Sequence, residues 1–417
     1  MAHVLILTLV FPPDSVSTAD IVGELALDLR ARGHEVTVVT TTPHYNLDDQ
    51  ARAQQPLTHL WPWGPLVQRS RFGDIPVYHV MVPPKGKSVS LRLLAWVLFH
   101  IMSTVVAVFL VRRPNLILAP SPPLTIGVNA WIIGLLKRTP FVYNVQEIYP
   151  DIAIRLGALR NRSLIWLLLK LEQFVYGRAR RITVVGPGMR QRLLEKGVAD
   201  RKIDVIANGV ETLDCVPAPR DNPLANKLGL NGRFVVTYAG NMGPTMGLET
   251  VIDAASRLRD CDDVRVLLVG GGMLAEQLRA EAERRQLGNV VFLPRQPYTV
   301  VPEIYGMSDV CLVLQAAGTA SDVLPSKVYR IMAFGRPIIA AADADSDLTR
   351  LIRASGCGEV VAAGDPEALA CAIRAAREHA GQWAARGSAG REYVDRHYSR
   401  SETSAQYDTL IRAIAGA

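Results

Sequence analysis

The chain has 417 residues, of which 49% are hydrophobic and 20% charged, with a formal net charge of +7. This length exceeds what one hydrophobic core organises, so we expect two domains, and the composition excludes a disordered chain. No zinc-finger, RNP-like or basic-region signature is present, so we predict no nucleic-acid partner.

The positive charge is concentrated in the first half of the chain. Between Arg155 and Lys202 there are twelve Lys or Arg residues but only three acids. Together with long apolar segments, this asymmetry indicates an anionic membrane surface or anionic substrates. The five scattered Cys residues form no CxxC pair, which predicts buried free thiols in a reducing cytoplasm.

Strand and helix patterns alternate along the chain, which predicts an α/β fold with parallel sheets and crossover helices. A strand ending at Val10 is read as buried structure and not as a signal peptide. A helix over about 18–32 and a strand over 34–40 follow, and His34 is given no functional role. Residues 41–74 are predicted to form a long irregular loop.

Residues 91–111 are almost continuously apolar and could span a bilayer by length. Strand patterns at 77–82 and 116–119 flank this segment, and a spanning helix would separate neighbouring strands of one sheet. We therefore predict a helix packed on the sheet, with one face in the bilayer interface and flanked by Arg92, Arg112 and Arg113.

A stretch rich in Pro, Asn and Asp at 211–232 predicts a linker, after which the strand–helix pattern restarts. We place an amino-terminal domain at 1–210, a second domain at 233–398 and a final helix at 399–417.

Residues 321–340 carry the strongest chemical signal, since they read as a loop, a helix, a Gly stop and a buried strand. Pro325 and Ser326 suit a first helical turn, and Gly335 suits the stop. Free N–H groups at a helix start beside Lys327 would favour a phosphate or diphosphate. Taken alone, an ordinary αβ unit with a solvated Lys explains this pattern better, and the surrounding motifs decide between the two.

Two Gly-rich turns, 240–247 and 270–272, follow buried strands and would let a phosphate or sugar approach backbone N–H groups. For either turn alone, a plain tight turn is an equally good interpretation. The chain contains no GxGxxG with a following acid, no GxxxxGK[ST], no GxSxG and no HExxH. We therefore predict no cofactor and no metal.

Glu147 follows the strand pattern at 141–144, at the strand end where α/β sheets bind ligands. An acid that stabilises a helix start is an equally good reading of this residue. Asp309 and Asp322 are read as loop or cap residues.

Several short motifs occur in a specific order, although each is weak alone. They are Phe11-Pro12-Pro13, Arg32-Gly33-His34-Glu35-Val36, Asn208-Gly209-Val210, Gly240-Asn241-Met242-Gly243, Val269-Gly270-Gly271-Gly272, Ser308-Asp309-Val310 and Pro325-Ser326-Lys327 through Gly335-Arg336-Pro337. Over almost the whole chain, this order and spacing resemble a retaining glycosyltransferase of family 4 with the GT-B fold.

The resemblance implies two Rossmann-like parallel-sheet domains that face a cleft, with the acceptor on the first, the nucleotide sugar on the second, and the last helix crossing back. Residues 146–151 and the Pro-Ser-Lys segment resemble the branch that builds O-antigen, colanic acid and similar polysaccharides on lipid carriers, a branch that includes fucosaminyltransferase-like enzymes.

The resemblance also assigns site residues. The catalytic candidates are Glu147 and Lys327, and the acceptor candidates are Pro13, Gln146 and Glu147. The donor-binding candidates are Gly240, Asn241, Met242, Gly243, Gly270, Gly271, Arg295, Pro325, Ser326, Lys327 and Arg330.

The chain departs from the family pattern at several of these positions. Asn241 and Met246 replace a basic pair, so Lys327 and Arg295 are expected to supply the charge for the diphosphate. Arg330 replaces a Glu and cannot accept hydrogen bonds from a ribose. Gln146 stands where relatives have a His, which weakens any assignment of a general base there.

We therefore expect transfer of a hexosyl or N-acetylamino-hexosyl group from a nucleotide-diphosphate sugar, in the first instance a UDP-sugar, to an undecaprenyl-linked saccharide with retention. The enzyme would be cytoplasmic and peripheral on the inner face of the cytoplasmic membrane. A GT-B nucleotide-sugar epimerase and a non-enzymatic membrane scaffold remain alternatives.

Overall fold

The computed structural model describes residues 1–14, 16–44, 49–82, 89–318 and 324–416. The chain divides into two compact units: unit 1 is Met1–Asn208 with Thr403–Ala417, and unit 2 is Gly209–Glu402. The end of the chain therefore returns to the unit that contains its beginning.

The central strands of unit 1 are short and apolar, and β1 is buried along all five of its residues. Strands covered on both faces read as continuous apolar runs, which is why the pattern predicts them well. The strands are β1 His3–Leu7, β2 Glu35–Thr41, β3 Thr58–Leu60, β4 Gly64–Phe72, β5 Ile75–Val80, β6 Leu116–Pro120, β7 Phe141–Val145, β8 Arg181–Val184 and β9 Ile203–Val205.

Within the described part of unit 1, these strands form one sheet in the order β3-β4-β5-β2-β1-β6-β7-β8-β9. The pairs from β5–β2 to β8–β9 are parallel, whereas β3–β4 and β4–β5 are antiparallel. The expected parallel sheet is thus confirmed, with an antiparallel extension at one edge.

The helices of unit 1 cross between these strands. They are α1 Ser17–Ala31, α2 Asp49–Gln54, α3 Val89–Phe109, α4 Thr125–Lys137, α5 Asp151–Arg155, α6 Arg162–Arg178 and α7 Pro187–Glu195, and the last helix, α16 Arg400–Ala415, belongs to unit 1 from Thr403 onward.

The prediction of an irregular segment at 41–74 is wrong, because α2, β3 and β4 lie there. Buried polar side chains obscure the alternation that normally marks a strand. Gln55 donates to Ser70 at 2.9 Å, Ser70 Oγ lies 2.7 Å from Nε2 of His79, and Nδ1 of that ring lies 3.0 Å from the carbonyl of Thr41. Trp61 is 90% exposed.

Hydrogen bonds and apolar contacts hold α16 on unit 1. Tyr407 Oη accepts from the buried amide of Asn144 at 2.9 Å, and Asp408 lies 2.7 Å from the fully buried ring of His34. Tyr407, Leu410 and other residues of α16 join the apolar cluster formed by α1 and the sheet. His34, which the sequence left without a role, therefore helps to fix the last helix.

Unit 2 contains a second sheet, which is wholly parallel in the described residues and has the order β12-β11-β10-β13-β14-β15. Its strands are β10 Phe234–Asn241, β11 Val264–Gly271, β12 Val290–Leu293, β13 Val310–Leu314, β14 Ile338–Ala342 and β15 Gly358–Ala362.

The described helices of unit 2 lie between and after these strands. They are α8 Pro223–Lys227, α9 Glu249–Arg257, α10 Ala275–Arg284, α11 Val301–Met307, α12 Lys327–Ala333, α13 Asp347–Ser355, α14 Pro366–Glu378 and α15 Ala380–His397.

Residues 211–232, which we predicted to be a linker, belong to unit 2 and contain α8. Leu224, Ala225 and Leu230 pack in an apolar cluster with β10 and β11. Pro223 and the capping residue Asn222, which read as loop residues in the sequence, begin this short helix. All five cysteines are free; four are buried as expected, but Cys371 is exposed.

Candidate functional site

Lys327 begins α12, and its ammonium group lies inside unit 2. Nζ is buried and makes no hydrogen bond to a described residue, and it lies 3.7 Å from the centroid of the Tyr238 ring. Burial lowers the pKa of Lys327 from 10.5 to about 7. A buried ammonium without an anionic partner is costly, so this position favours binding of an anion.

Tyr238 connects Lys327 to the first Gly-rich turn. Its ring is fully buried within β10, three residues before the last residue of the strand, and its hydroxyl donates to the carbonyl of Asn241 at 2.6 Å. One side chain therefore positions both the turn backbone and the ammonium group. Sequence reasoning missed this residue, and the signal that could have found it is a Tyr buried two residues before the turn.

The first Gly-rich turn requires glycine where it meets Lys327. Gly240 has φ +149°, and a Cβ there would lie 2.6 Å from Nζ of Lys327. The backbone of the turn thus approaches the ammonium group closely, as the sequence predicted for a phosphate site. The structure brings Gly240 and Lys327 together, although they are 87 positions apart in the chain.

The two Gly-rich turns pack directly on each other. A Cβ on Gly270 would lie 2.1 Å from the carbonyl oxygen of Gly240. Met242 donates its amide to the carbonyl of Gly271 at 2.8 Å, and Gly243 begins a 3₁₀ turn over Pro244–Met246. The predicted donor-binding residues from both turns therefore form one backbone surface at the carboxyl ends of β10 and β11.

The start of α12 differs from the expectation. Ser326 occupies the capping position, but its hydroxyl makes no capping hydrogen bond. The amides of Val328 and Tyr329 donate to the carbonyls of Pro325 and Ser326, so these N–H groups of the first turn are already used. The attraction for an anion at this helix start therefore rests mainly on Lys327.

The other end of α12 confirms the prediction. Gly335 has φ +64°, the left-handed conformation of a helix stop, and its amide donates to Met332 at 2.8 Å. Asp309 is a structural residue, as expected, since its carboxylate accepts from the amide of Val235 at 2.7 Å and from Arg220 at 2.8 Å. Asp322 lies outside the described residues.

The two predicted donor-site arginines lie in different surroundings. The guanidinium of Arg330 stacks over the exposed ring of Tyr298 at 5.1 Å from its centroid. Arg295 is exposed and follows the end of β12.

Glu147 lies where the sequence placed it, two residues beyond the end of β7 in unit 1. Its side chain is half-buried, and burial raises the pKa of its carboxyl group. A carboxylate shifted by burial at the carboxyl end of a parallel strand is a candidate for binding or positioning a hydroxyl group.

Buried charges hold the segment that carries Glu147. Asp151 begins α5 and accepts from Arg192 at 2.8 Å and from Lys196 at 2.7 Å. Lys196 also bridges to the buried carboxylate of Glu172 at 2.7 Å. These bonds join α5, α6 and α7, and they restrict the three residues between Glu147 and α5.

Gln146 and Pro13, the other acceptor candidates, already have structural contacts. The Gln146 amide donates to Asn144 at 2.8 Å, and its carbonyl accepts from Asn208 at 2.8 Å. Pro13 is buried beyond the end of β1, beside the buried Asp14. An acceptor-binding role for either residue stays a prediction.

Unit 1 also exposes a large apolar surface on three helices that lie side by side, since α3 contacts α4 and α4 contacts α6. We call it the three-helix face. Its exposed residues are Trp96, Val97, Ile101 and Phe109 on α3, Ile132, Leu135 and Leu136 on α4, and Leu164, Trp166 and Leu167 on α6.

Three described polar residues of α3, His100, Ser103 and Thr104, make hydrogen bonds within the protein. His100 lies 2.8 Å from the hydroxyl of Thr125, and Asn129 donates to the buried Ser103 at 2.8 Å while accepting from Thr104. Burial lowers the pKa of His100 to about 4, so the ring is neutral at pH 7. Among the residues described, no helix has both the length and the apolar character needed to cross a membrane.

Two family models match the chain. Residues 18–209 match the Glycosyl transferase 4-like domain, and residues 222–392 match Glycosyl transferases group 1. These two models identify the chain as a glycosyltransferase, and its two parallel-sheet units are those of the GT-B class. Within it, the chain combines a Glycosyl transferase 4-like domain with a Glycosyl transferases group 1 domain.

Relatives and solved structures agree with this assignment. WcaI of Escherichia coli (strain K12), a glycosyl transferase assigned to colanic acid biosynthesis, is 28% identical over 96% of this chain and 98% of its own. WbjE of Pseudomonas aeruginosa, a glycosyltransferase by its name, is 27% identical over 62% of this chain and 65% of its own.

Among solved structures, HepE of Anabaena in complex with UDP and glucose is similar, with a TM-score of 0.76 and 18% identity over 99% of this chain and 100% of that chain. WaaG, a glycosyltransferase involved in lipopolysaccharide biosynthesis, has a TM-score of 0.69 and 15% identity, over 99% of this chain and 100% of that chain. At these identities the similarity concerns the fold, and it confirms the expected GT-B class.

Replacing Lys327 with Met should stabilise the unliganded protein at pH 7. Because the folded pKa is about 7 and the ordinary value is 10.5, the unfolded chain binds more protons between these pH values. Wild-type stability should therefore rise with pH across this window. The variant should lack this slope and should be more stable at pH 7 by an amount on the order of 3 kcal/mol.

Urea unfolding at pH 7, 8 and 9, followed by circular dichroism, measures this difference. Lys227→Met, at an exposed position on α8, is the matched control and should show no pH-dependent difference. A Lys327→Met variant that is less stable than wild type at every pH would contradict the buried, unpaired ammonium.

Proposed function

We propose that the protein transfers a hexosyl or N-acetylamino-hexosyl group from a nucleotide-diphosphate sugar to a lipid-linked saccharide during cell-surface polysaccharide synthesis. The observation that carries this proposal is the unpaired ammonium of Lys327 against the paired Gly-rich turns. The relatives support the polysaccharide setting, and a fold neighbour that binds UDP and glucose makes a UDP-sugar the first donor to test.

Lys327 would stabilise the leaving diphosphate. As the glycosidic bond to the sugar breaks, negative charge accumulates on the phosphate oxygens. An ammonium held in a water-poor site stabilises that charge strongly, and the Gly-rich backbone allows the oxygens to come close. The negative charge of a bound diphosphate would raise the pKa of Lys327 back toward its ordinary value. The donor would therefore bind together with a proton at pH values above 7.

Glu147 would orient a hydroxyl group of the acceptor or of the transferred sugar by accepting its hydrogen bond. The acceptor would then attack from the face that the leaving group occupies, which retains the anomeric configuration. The departing phosphate is the base in this scheme, so the proton of the acceptor hydroxyl passes to a phosphate oxygen. A carboxylate whose pKa is raised by burial performs this orienting role best above that pKa.

The three-helix face would lie in the interface of a membrane that carries the lipid-linked acceptor. A helix that faces water exposes polar side chains and buries apolar ones, whereas α3 exposes Trp96, Ile101 and Phe109 and buries Ser103. Buried polar groups with exposed apolar groups are expected where the surroundings are lipid. Exposed apolar surfaces of this extent mark interaction sites on proteins.

The first test offers UDP-, GDP- and dTDP-sugars with a membrane lipid extract and scores labelled lipid product. Lys327→Met should lower kcat by about 100-fold or more with the active donor, since a lost transition-state donor costs roughly 3 to 4 kcal/mol. Lys227→Met should behave as wild type. An unchanged kcat at saturating donor would exclude this role, and the absence of product with every donor would favour a scaffold.

The pH dependence of kcat/KM tests both candidate residues. Activity should rise with pH as Glu147 ionises above its raised pKa, and it should fall above about pH 7 as free Lys327 loses its proton. Glu147→Gln should remove the acid limb and lower kcat/KM by about tenfold or more, while Lys327→Met should remove the alkaline limb. An acid limb that persists in Glu147→Gln would assign that limb to another group.

Membrane binding is tested by flotation with neutral phosphatidylcholine vesicles. Replacing Ile101, Leu136 and Trp166 together with Ser should reduce the vesicle-bound fraction by about tenfold or more, because three exposed apolar side chains no longer leave water. The matched control replaces Leu66, Leu213 and Val216 with Ser, which are equally exposed but lie outside the three-helix face. Equal losses in the two triple variants would exclude this face as the contact.

A further inference from the structure

Unit 1 contains an open cavity of about 740 Å³ that the proposed reaction does not use. Arg113, Asn115, Arg138, Arg180 and Ile414 are among its lining residues. The volume lies within the usual range of small-molecule sites.

The cavity lies at the edge of the sheet opposite to Glu147. Arg113 and Asn115 precede β6, Arg138 precedes β7 and Arg180 precedes β8, whereas Glu147 follows the other end of β7. Each arginine also comes shortly after the last residue of α3, α4 or α6, respectively. The cavity therefore lies at the ends of the helices that form the three-helix face.

The charge of the cavity is unbalanced. Among the described residues that line it there are three arginines and no acid. The guanidinium groups of Arg138 and Arg180 have no hydrogen bond or ion pair with a described residue, unlike Arg192, which is paired with Asp151. Like charges gathered without a counterion repel each other, and an anion bound between them would relieve that repulsion.

Among the described residues, only one of these three arginines makes a side-chain hydrogen bond at a helix end. Cations at helix ends offset the negative end of the helix dipole, and Arg113 does so by donating to the carbonyl of Arg138 at 3.0 Å. Arg138 follows α4 with φ +52°, the left-handed conformation that glycine adopts most easily. Ending the helix would be easier with Gly, so the Arg138 side chain needs another explanation.

We propose that Arg138 and Arg180 bind the phosphate group of an anionic phospholipid in the membrane that the three-helix face contacts. Guanidinium groups bind phosphate oxygens with paired, charge-assisted hydrogen bonds. The acyl chains would continue along the exposed Leu135 and Leu136, which immediately precede Lys137 and Arg138 at the end of α4. This inference depends on the membrane contact in the proposed function, and it adds the headgroup site.

The test compares flotation with vesicles of phosphatidylcholine alone and of phosphatidylcholine containing phosphatidylglycerol, at one fixed ionic strength. Wild-type protein should bind the anionic vesicles more tightly. The Arg138→Gln/Arg180→Gln variant should bind the anionic vesicles about 10- to 30-fold more weakly than wild type, as expected for two basic contacts at a lipid surface. Its affinity for phosphatidylcholine vesicles should be unchanged. The control, Arg71→Gln/Arg201→Gln, removes two exposed charges of unit 1 outside the cavity and should lose at most about threefold.

Each other result overturns a defined part of the inference. Equal losses in the two double variants would mean that only the total charge matters, with no headgroup site. Inorganic phosphate that binds at Arg138 and Arg180 without vesicles, and displaces the protein from them at low millimolar concentration, would make a soluble anion the ligand. If wild-type protein binds neither vesicle, the membrane contact fails together with the headgroup site, whereas wild-type-like binding by the Arg138/Arg180 variant removes the site alone.

Discussion

The contact between Lys327 and Tyr238 is the constraint around which unit 2 is arranged. The ring gives the ammonium a weakly favourable neighbour but no counterion, and burial lowers the pKa of Lys327 to about 7. The same tyrosine fixes the carbonyl of Asn241. The position of the Lys327 ammonium group, the geometry of the Gly-rich turn and the start of α12 thus depend on one packed aromatic side chain.

Unit 1 is organised differently, by buried polar ties and not by one contact. Asp151, Lys196 and Glu172 join the helices that follow Glu147, and Asn144 and Tyr407 join the sheet to the last helix. These ties leave Glu147 in a segment fixed at both ends, since Gln146 is itself bonded to Asn144 and Asn208. If Glu147 orients a hydroxyl group as proposed, this rigidity would hold its carboxylate in place.

The sequence predicts most of the fold, because buried parallel strands such as β1 and β14 are continuous apolar runs, and because Gly335 and Pro337 mark a helix end. It places Glu147 after the strand β7 and Lys327 at the start of a helix, as the structure does. It cannot predict that Nζ of Lys327 is buried and unpaired, since burial depends on Tyr238 and Gly240, which are distant in the chain. It misreads 41–74 because Gln55, Ser70 and His79 satisfy one another inside the protein.

The packing of the two Gly-rich turns limits how this enzyme could diverge. A side chain at Gly240 would be strained by its φ of +149°, and one at Gly270 would collide with the backbone of Gly240, so both positions favour glycine. Amino-acid changes are therefore expected at the positions around these two glycines and not at the glycines themselves. Neighbours such as Asn241 and Met246 can therefore change the side chains around the turns while both glycines stay the same.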